Sequence, residues 1–301
     1  MATSDGKRSA LGERFERAVD RSPLPAGVVV TSGPVLLLQL LFFVGPLFIM
    51  VTIATMEMEN LVLIPDYSLD NFVEVFTGFV PRTAFTNTVL ISVLTTLSAI
   101  VIAYPIAYFI ARRGGSHKNQ LLILVMIPWW TNFIVRVYGW RLILGSRGVV
   151  NSALIYAGFI DQPIDWLLNT KFSIWLGLTY LWLPFMILPL YTSLEKMDQS
   201  LIDAAYDLGA SRWVVFRRII LPLSFSGLVG GTMFVFIFSM GSYIVPSMLG
   251  GGTTFVGPLI DYQFGFGGDW PMGAAIASVL MLIVMVVLRA LMRHVEIEEM
   301  I

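Results

Sequence analysis

The sequence predicts an all-α integral membrane protein with six transmembrane helices, and three observations carry that prediction. First, 56% of the 301 residues are hydrophobic, 13% are charged and the mean hydropathy is +0.79, too apolar for a soluble domain of this size. Second, the apolar residues gather into six long runs, and a bilayer core of ~30 Å needs about 20 such residues per helix. Third, the cations are placed unevenly. With both termini and the loops at 112–120 and 195–222 on the cytoplasmic side, fourteen of the nineteen Lys and Arg residues lie there, as the positive-inside rule requires.

The six spans are expected at 34–55, 85–111, 121–141, 172–193, 223–249 and 272–293. Pro46, Pro105, Pro128, Pro184, Pro189 and Pro246 fall inside them, which membrane helices tolerate when neighbours satisfy the freed carbonyls. Residues 1–32 are polar and carry Lys7, Arg8, Arg14, Arg17 and Arg21, so they read as a cytoplasmic tail rather than a signal peptide. The expected organisation is that tail, one transmembrane domain over 33–293, and a short cytoplasmic tail at 294–301. Between spans, Leu69, Phe72, Val73 and Phe76 share one helical face and predict a short interfacial helix over 68–77. A second short helix is expected after Gly148, through Val149, Leu154 and Ile155.

The longest polar island is 195–222, EKMDQSLIDAAYDLGASRWVVFRRIILP. Leu201, Ala204, Ala205 and Leu208 at i, i+3, i+4, i+7 predict a short amphipathic helix, with Asp203 and Asp207 off its stripe. Gly209 suits the left-handed position past the helix end, and Ser211 is placed to cap a second helix through Phe216 and Arg217. A helix, a tight turn and a second helix, thin on the alanine side, make an element shaped for another protein's groove.

No catalytic constellation is present: there is no P-loop, no His-Glu-x-x-His and no pair of intramembrane aspartates. The absence of cysteine excludes disulfides and thiolate sites, and His117 and His294 have no metal-ligand partner at helical spacing. The Gly250, Gly251, Gly252 run precedes no Lys-Ser/Thr and reads as an outer turn. Candidate cargo contacts are few. Trp129 and Tyr138, from an aromatic-rich outer region, and Asp261 and Asp269 suit the methylenes and ammonium groups of a flexible diamine. Arg136 either snorkels to the interface or lines the pathway. The outer loops carry four net negative charges, which fits a cationic cargo or a solvated acidic face.

Asp203-Ala204-Ala205, three residues, Gly209, nine residues, Ile219, one residue and Leu221-Pro222 resembles the coupling-loop signature of type I ABC importer permease subunits, Glu-Ala-Ala, then Gly, then Ile-x-Leu-Pro. Asp203 departs from the usual Glu but keeps the charge. The stretches 127–140, 183–198, 244–252 and 269–278 are similar to the polyamine (spermidine/putrescine) branch, and permeases for aminophosphonates, opines or iron complexes share similar phrases.

The resemblance implies the six-helix type I permease fold in a bacterial inner membrane. It implies a second homologous permease as heterodimer partner, a cytoplasmic ATPase dimer that uses ATP and Mg, an extracytoplasmic binding protein, no cofactor on this chain and no nucleic-acid partner. Asp203, Ala204, Ala205 and Gly209 are the ATPase-coupling residues it implies. A stand-alone secondary transporter is disfavoured, since no inverted pair of interrupted helices is visible.

Overall fold

The computed structural model describes the backbone of residues 26–298 and the side chains of 33–293. The expected N-terminal tail up to residue 25 and the last three residues lie outside that range. A helix already runs from Ala26, inside the stretch read as tail, where Val28, Val29 and Val30 extend the apolar run. Two compact units divide the chain after Ile53.

The first unit holds α1 (Ala26–Gln39), one wider turn at Leu40–Val44, and most of α2 (Gly45–Ala54). Side chains such as Leu37, Phe42, Phe43 and Phe48 are exposed, a band suited to lipid or to another helix rather than to water.

The second unit continues with a two-stranded hairpin, β1 (Glu57–Glu59) antiparallel to β2 (Val62–Ile64), and then α3 (Asp70–Thr77). The stripe read from sequence faces outward, with Leu69, Val73 and Phe76 exposed, while Val75 on another face is buried against the rest of the unit. Asn71 sets this rotation, because its Nδ2 donates to the carbonyls of Ala54 (3.1 Å) and Met56 (2.8 Å).

After α3 come α4 (Phe79–Arg113), α5 (Lys118–Met126), α6 (Phe133–Leu144), α7 (Val149–Tyr156) and α8 (Lys171–Lys196). The 195–222 region gives α9 (Gln199–Asp207), α10 (Arg212–Val215) and the single turn α11 (Leu221–Leu223). Last come α12 (Phe225–Met240), α13 (Ile244–Leu249), α14 (Val256–Phe264) and α15 (Trp270–Glu298), which packs against α3.

Among the described residues four helices are long and apolar enough to cross a membrane, Gly33–Ala54, Phe79–Arg113, Lys171–Lys196 and Trp270–Arg293; two bent pairs bring the total to six if each is one span. The third expected span, 121–141, is broken by 85° between Trp130 and Phe133. Pro128 opens a tight turn, Thr131 is extended, and Asn132 restarts the helix by accepting from the N–H groups of Ile134 (2.9 Å) and Val135 (3.4 Å). The fifth, expected over 223–249, ends at Met240; α13 is a separate helix after the Gly241–Tyr243 break. Val245, Pro246 and Leu249 are apolar because protein buries them, a pattern that hydropathy alone cannot distinguish from a membrane run.

The core forms where α4, α8 and α12 pack together. On α4, Ala99, Ala103, Ala107 and Ala111 recur every four residues and are all buried, a small-residue stripe that lets backbones approach. They meet Met186, Ile187, Leu190 and Leu194 of α8. On α12, a Cβ at Gly227 would collide with the Pro189 carbonyl oxygen, so this crossing requires glycine. Buried polar groups pin the helices. Tyr104 bonds Ser224 Oγ (2.7 Å), Trp175 Nε1 donates to Ser98 Oγ (3.0 Å), and Ser173 Oγ donates to the Leu249 carbonyl (2.7 Å).

Candidate functional site

The 195–222 region folds as helix, turn, helix. Asp198 caps α9 by accepting from Ser200 N–H (2.9 Å), and that bond holds its carboxyl below the usual carboxylate range. At the other end Gly209 has φ +80°, its N–H donates to Tyr206 O (2.9 Å), and Ala210 N–H donates to Ala205 O (3.0 Å). This is the paired-bond stop that satisfies the last carbonyls of a helix.

One face of α9 is spent on the rest of the chain: Ile202 is buried and Ala205 packs beside it. The opposite face is open. Leu201 and Ala204 are exposed, and Leu208 is 89% exposed. The sequence stripe is therefore split, with Ala205 inward and Leu201, Ala204 and Leu208 outward. Asp203 is also exposed, and it accepts from Gln199 Nε2 (3.0 Å).

Arg112, at the end of α4, braces the element through Nη1 to Gln199 Oε1 (3.1 Å) and Nη2 to the Met197 carbonyl (3.0 Å). Lys118 pairs with Glu195 at 3.4 Å. Sequence reading missed Arg112 as a brace; its only signal was a basic pair ending a long helix.

Aromatic side chains from α6, α8 and α12 converge into a second feature. Trp182 stacks on Phe133 (5.8 Å between ring centres) and meets Phe238 (4.9 Å) and Phe185 (6.0 Å). Phe185 in turn touches Trp129, Phe234 and Phe238. Phe133, Trp182 and Phe238 line a cavity of about 430 Å³ that continues past Ser242 to Tyr243 and Ile244.

The Arg136 guanidinium is held 5.6 Å from the ring centres of both Trp129 and Phe133, so it stands inside the aromatic cluster. The indole N–H groups of Trp129 and Trp182 are buried without a hydrogen-bond partner among the described residues. They are donors and cannot serve an ammonium group; the ring faces can.

The four sequence-nominated pathway residues do not gather in one place. Trp129 belongs to the cluster, whereas Tyr138 is exposed and joins none of its ring contacts. Asp261, on α14, lies beside Tyr243, a residue of the cavity wall, and raises the Tyr243 pKa above its ordinary value. Asp269 is half-buried and caps α15, accepting from Met272 N–H at 3.0 Å. Trp182, Phe185, Phe234 and Phe238 were not singled out from sequence, although the pairs 182/185 and 234/238 have the spacing of one helical face. Ring faces thus line the groove, and Tyr243, the neighbour of Asp261, stands in its wall.

Comparison with known proteins agrees with this architecture. Residues 88–296 match the family model described as binding-protein-dependent transport system inner membrane component. The spermidine/putrescine transport system permease protein PotB of Haemophilus influenzae is 37% identical over 270 residues, covering 86% of this chain and 93% of the relative. The PotB of Escherichia coli K12 is 40% identical over 195 residues, covering 64% and 70%. Among solved structures, a bacterial ABC transporter that imports alginate aligns with a TM-score of 0.66 at 16% identity, over 93% of this chain and 98% of that one. The MetNI methionine transporter aligns at 0.56 with 19% identity, over 75% and 98%. The chain belongs to the family of binding-protein-dependent transport system inner membrane components, as a permease subunit of a type I ABC importer.

Proposed function

We propose that this chain forms half of the translocation pathway of a polyamine importer in a bacterial inner membrane. The observation that carries the cargo assignment is 37% identity spread over 93% of a spermidine/putrescine permease, rather than confined to a motif. The groove supports it: spermidine and putrescine alternate ammonium and methylene groups, and the ring faces of Phe133, Trp182 and Phe238 with Asp261 beside Tyr243 accept both.

In this reading a second, homologous permease completes the pathway and an extracytoplasmic binding protein delivers cargo. A cytoplasmic ATPase dimer, carrying ATP and Mg, receives α9. The exposed Leu201, Ala204 and Leu208 enter its cleft, Asp203 makes a charge-assisted contact, and Gly209 fixes the turn. The loop 195–222 and both termini then face the cytoplasm. The physical logic is a two-state machine whose equilibrium is biased by a ligand on the ATPase side.

A permease for an anionic solute such as an aminophosphonate is the second reading, favoured by Arg136, whose buried Nε lacks a partner among the described residues. Uptake of labelled putrescine and spermidine, with and without this chain and against excess unlabelled aminophosphonate, separates the two. Loss of uptake on deletion together with indifference to the competitor supports the polyamine reading. Equal uptake without the chain, in cells lacking other polyamine transporters, refutes it.

A further inference from the structure

Where α4 reaches α9 to α11, two cavities adjoin. One, of about 660 Å³, is lined by Arg112, Arg113, Arg212 and Gln199 together with Tyr108 and Phe216. The other, of about 460 Å³, is a wholly apolar groove that runs along Ile100, Val101 and Tyr104 toward Leu228 and has Tyr108 and Phe216 as shared walls. Together they make one amphipathic channel, apolar along its length and cationic at its end.

The cations are in excess there. Among the described residues the nearby ion pair is Lys118 with Glu195, and none involves Arg113 or Arg212. Arg112 spends two nitrogens on the brace, and its buried Nε has no hydrogen-bond partner among the described residues. A helix dipole accounts for Arg112 and Arg113 in the last turn of α4, whereas Arg212, in the four-residue α10, has no such account. The lining therefore carries three cations and no carboxylate.

From Ile100 to Arg113 the channel extends ~20 Å along α4. One leaflet of the hydrocarbon core is ~15 Å deep, so the length fits an acyl chain with a headgroup above it.

We propose that this channel holds an anionic phospholipid, its acyl chain in the groove beside Val101 and its phosphate among Arg112, Arg113 and Arg212, and that the bound lipid braces α9 against α4. The inference rests on the permease fold and is independent of the cargo. Basic pockets between membrane helices recognise acidic headgroups through the same charge-assisted bonds.

The test uses the complete transporter in nanodiscs of phosphatidylcholine alone or with part of it replaced by phosphatidylglycerol. Native mass spectrometry reads retained lipid, and ATPase turnover is read in parallel. Wild type is expected to retain phosphatidylglycerol selectively and to turn over faster with it. Arg113→Gln with Arg212→Gln should lower retention about twenty-five-fold, at about fivefold per arginine. Val101→Trp should lower it with every arginine in place.

Retention unchanged in both variants overturns the proposal. So does competition by soluble glycerol phosphate as effective as that by the lipid, which would mark a free-phosphate site. A disulfide between cysteines placed at Val101 and on the second permease or the ATPase, formed in high yield, would show that protein covers the groove, and would also overturn it.

Discussion

Gly209→Val isolates the turn from everything around it. At φ +80° an L-residue costs about 1–2 kcal/mol, and a β-branched one lies at the upper end. No atom stands within 4 Å of a Cβ built at this position, so within this chain the penalty comes from backbone conformation rather than crowding. A cost of that size lowers the population of the native turn by about 5–30-fold relative to alternatives. The bonds from Gly209 N–H and Ala210 N–H, which stop α9, are lost with it.

Uptake into proteoliposomes containing the assembled transporter, read beside ATPase turnover and ATPase pull-down, should fall by a similar factor. Gly209→Asn provides the control, because asparagine tolerates the left-handed region; it should recover most of the loss. Wild-type behaviour of the valine variant would refute the reasoning. Equal damage from asparagine would show that an ATPase surface, not the backbone, sets the requirement for glycine.

Further outcomes follow from the same geometry. Asp203→Glu should leave uptake near wild type while Asp203→Lys abolishes it; equal loss in both would mean that size rather than charge matters. Phe238→Leu keeps apolar bulk but removes a ring face, so KM for spermidine should rise about 2–30-fold with turnover preserved, the range of about 0.5–2 kcal/mol for a cation over an aromatic ring. Asp269→Ala removes the α15 cap, costs about 1 kcal/mol and should lower Tm with KM unchanged. Because the Asp198 pKa is lowered in the folded chain, its capping contribution is complete above the ordinary carboxylate pKa and is lost as pH falls through the lowered value. Coupling should therefore survive acidification to about pH 5, and an Asp198→Asn variant should differ from wild type by the same amount there as at neutrality.

The parts legible in sequence are those set by local chemistry. The runs at 85–111 and 172–193 fall inside α4 and α8, and the helix, Gly209 and second helix appear where i, i+3, i+4 spacing and a helix-stopping glycine placed them. What was not legible depends on packing between distant segments. Hydropathy carried the fifth span through Gly241 because buried Val245 and Leu249 look like membrane residues. Spacing could not show which face of α9 would be covered, since Ile202, outside the stripe, is what the core takes. The aromatic groove joins residues from 133, 182 and 238, and Asp269 could not be recognised as a cap until α15 began directly after it.

The grip of α4 at its two ends has a mechanical consequence. At one end Arg112 holds Gln199 and Met197; at the other Asn87 donates to the Thr254 carbonyl (2.9 Å) and Thr88 accepts from Val256 N–H (3.0 Å). The helix between these grips is a lever arm of ~37 Å. Pivoting it by about 5° sweeps one grip through about 3 Å relative to the other, the scale on which packed helices shift between discrete arrangements. A load applied at Gln199 would then be felt, from Arg112 back along α4 to Thr88, at the backbone where α14 begins, the helix that carries Asp261.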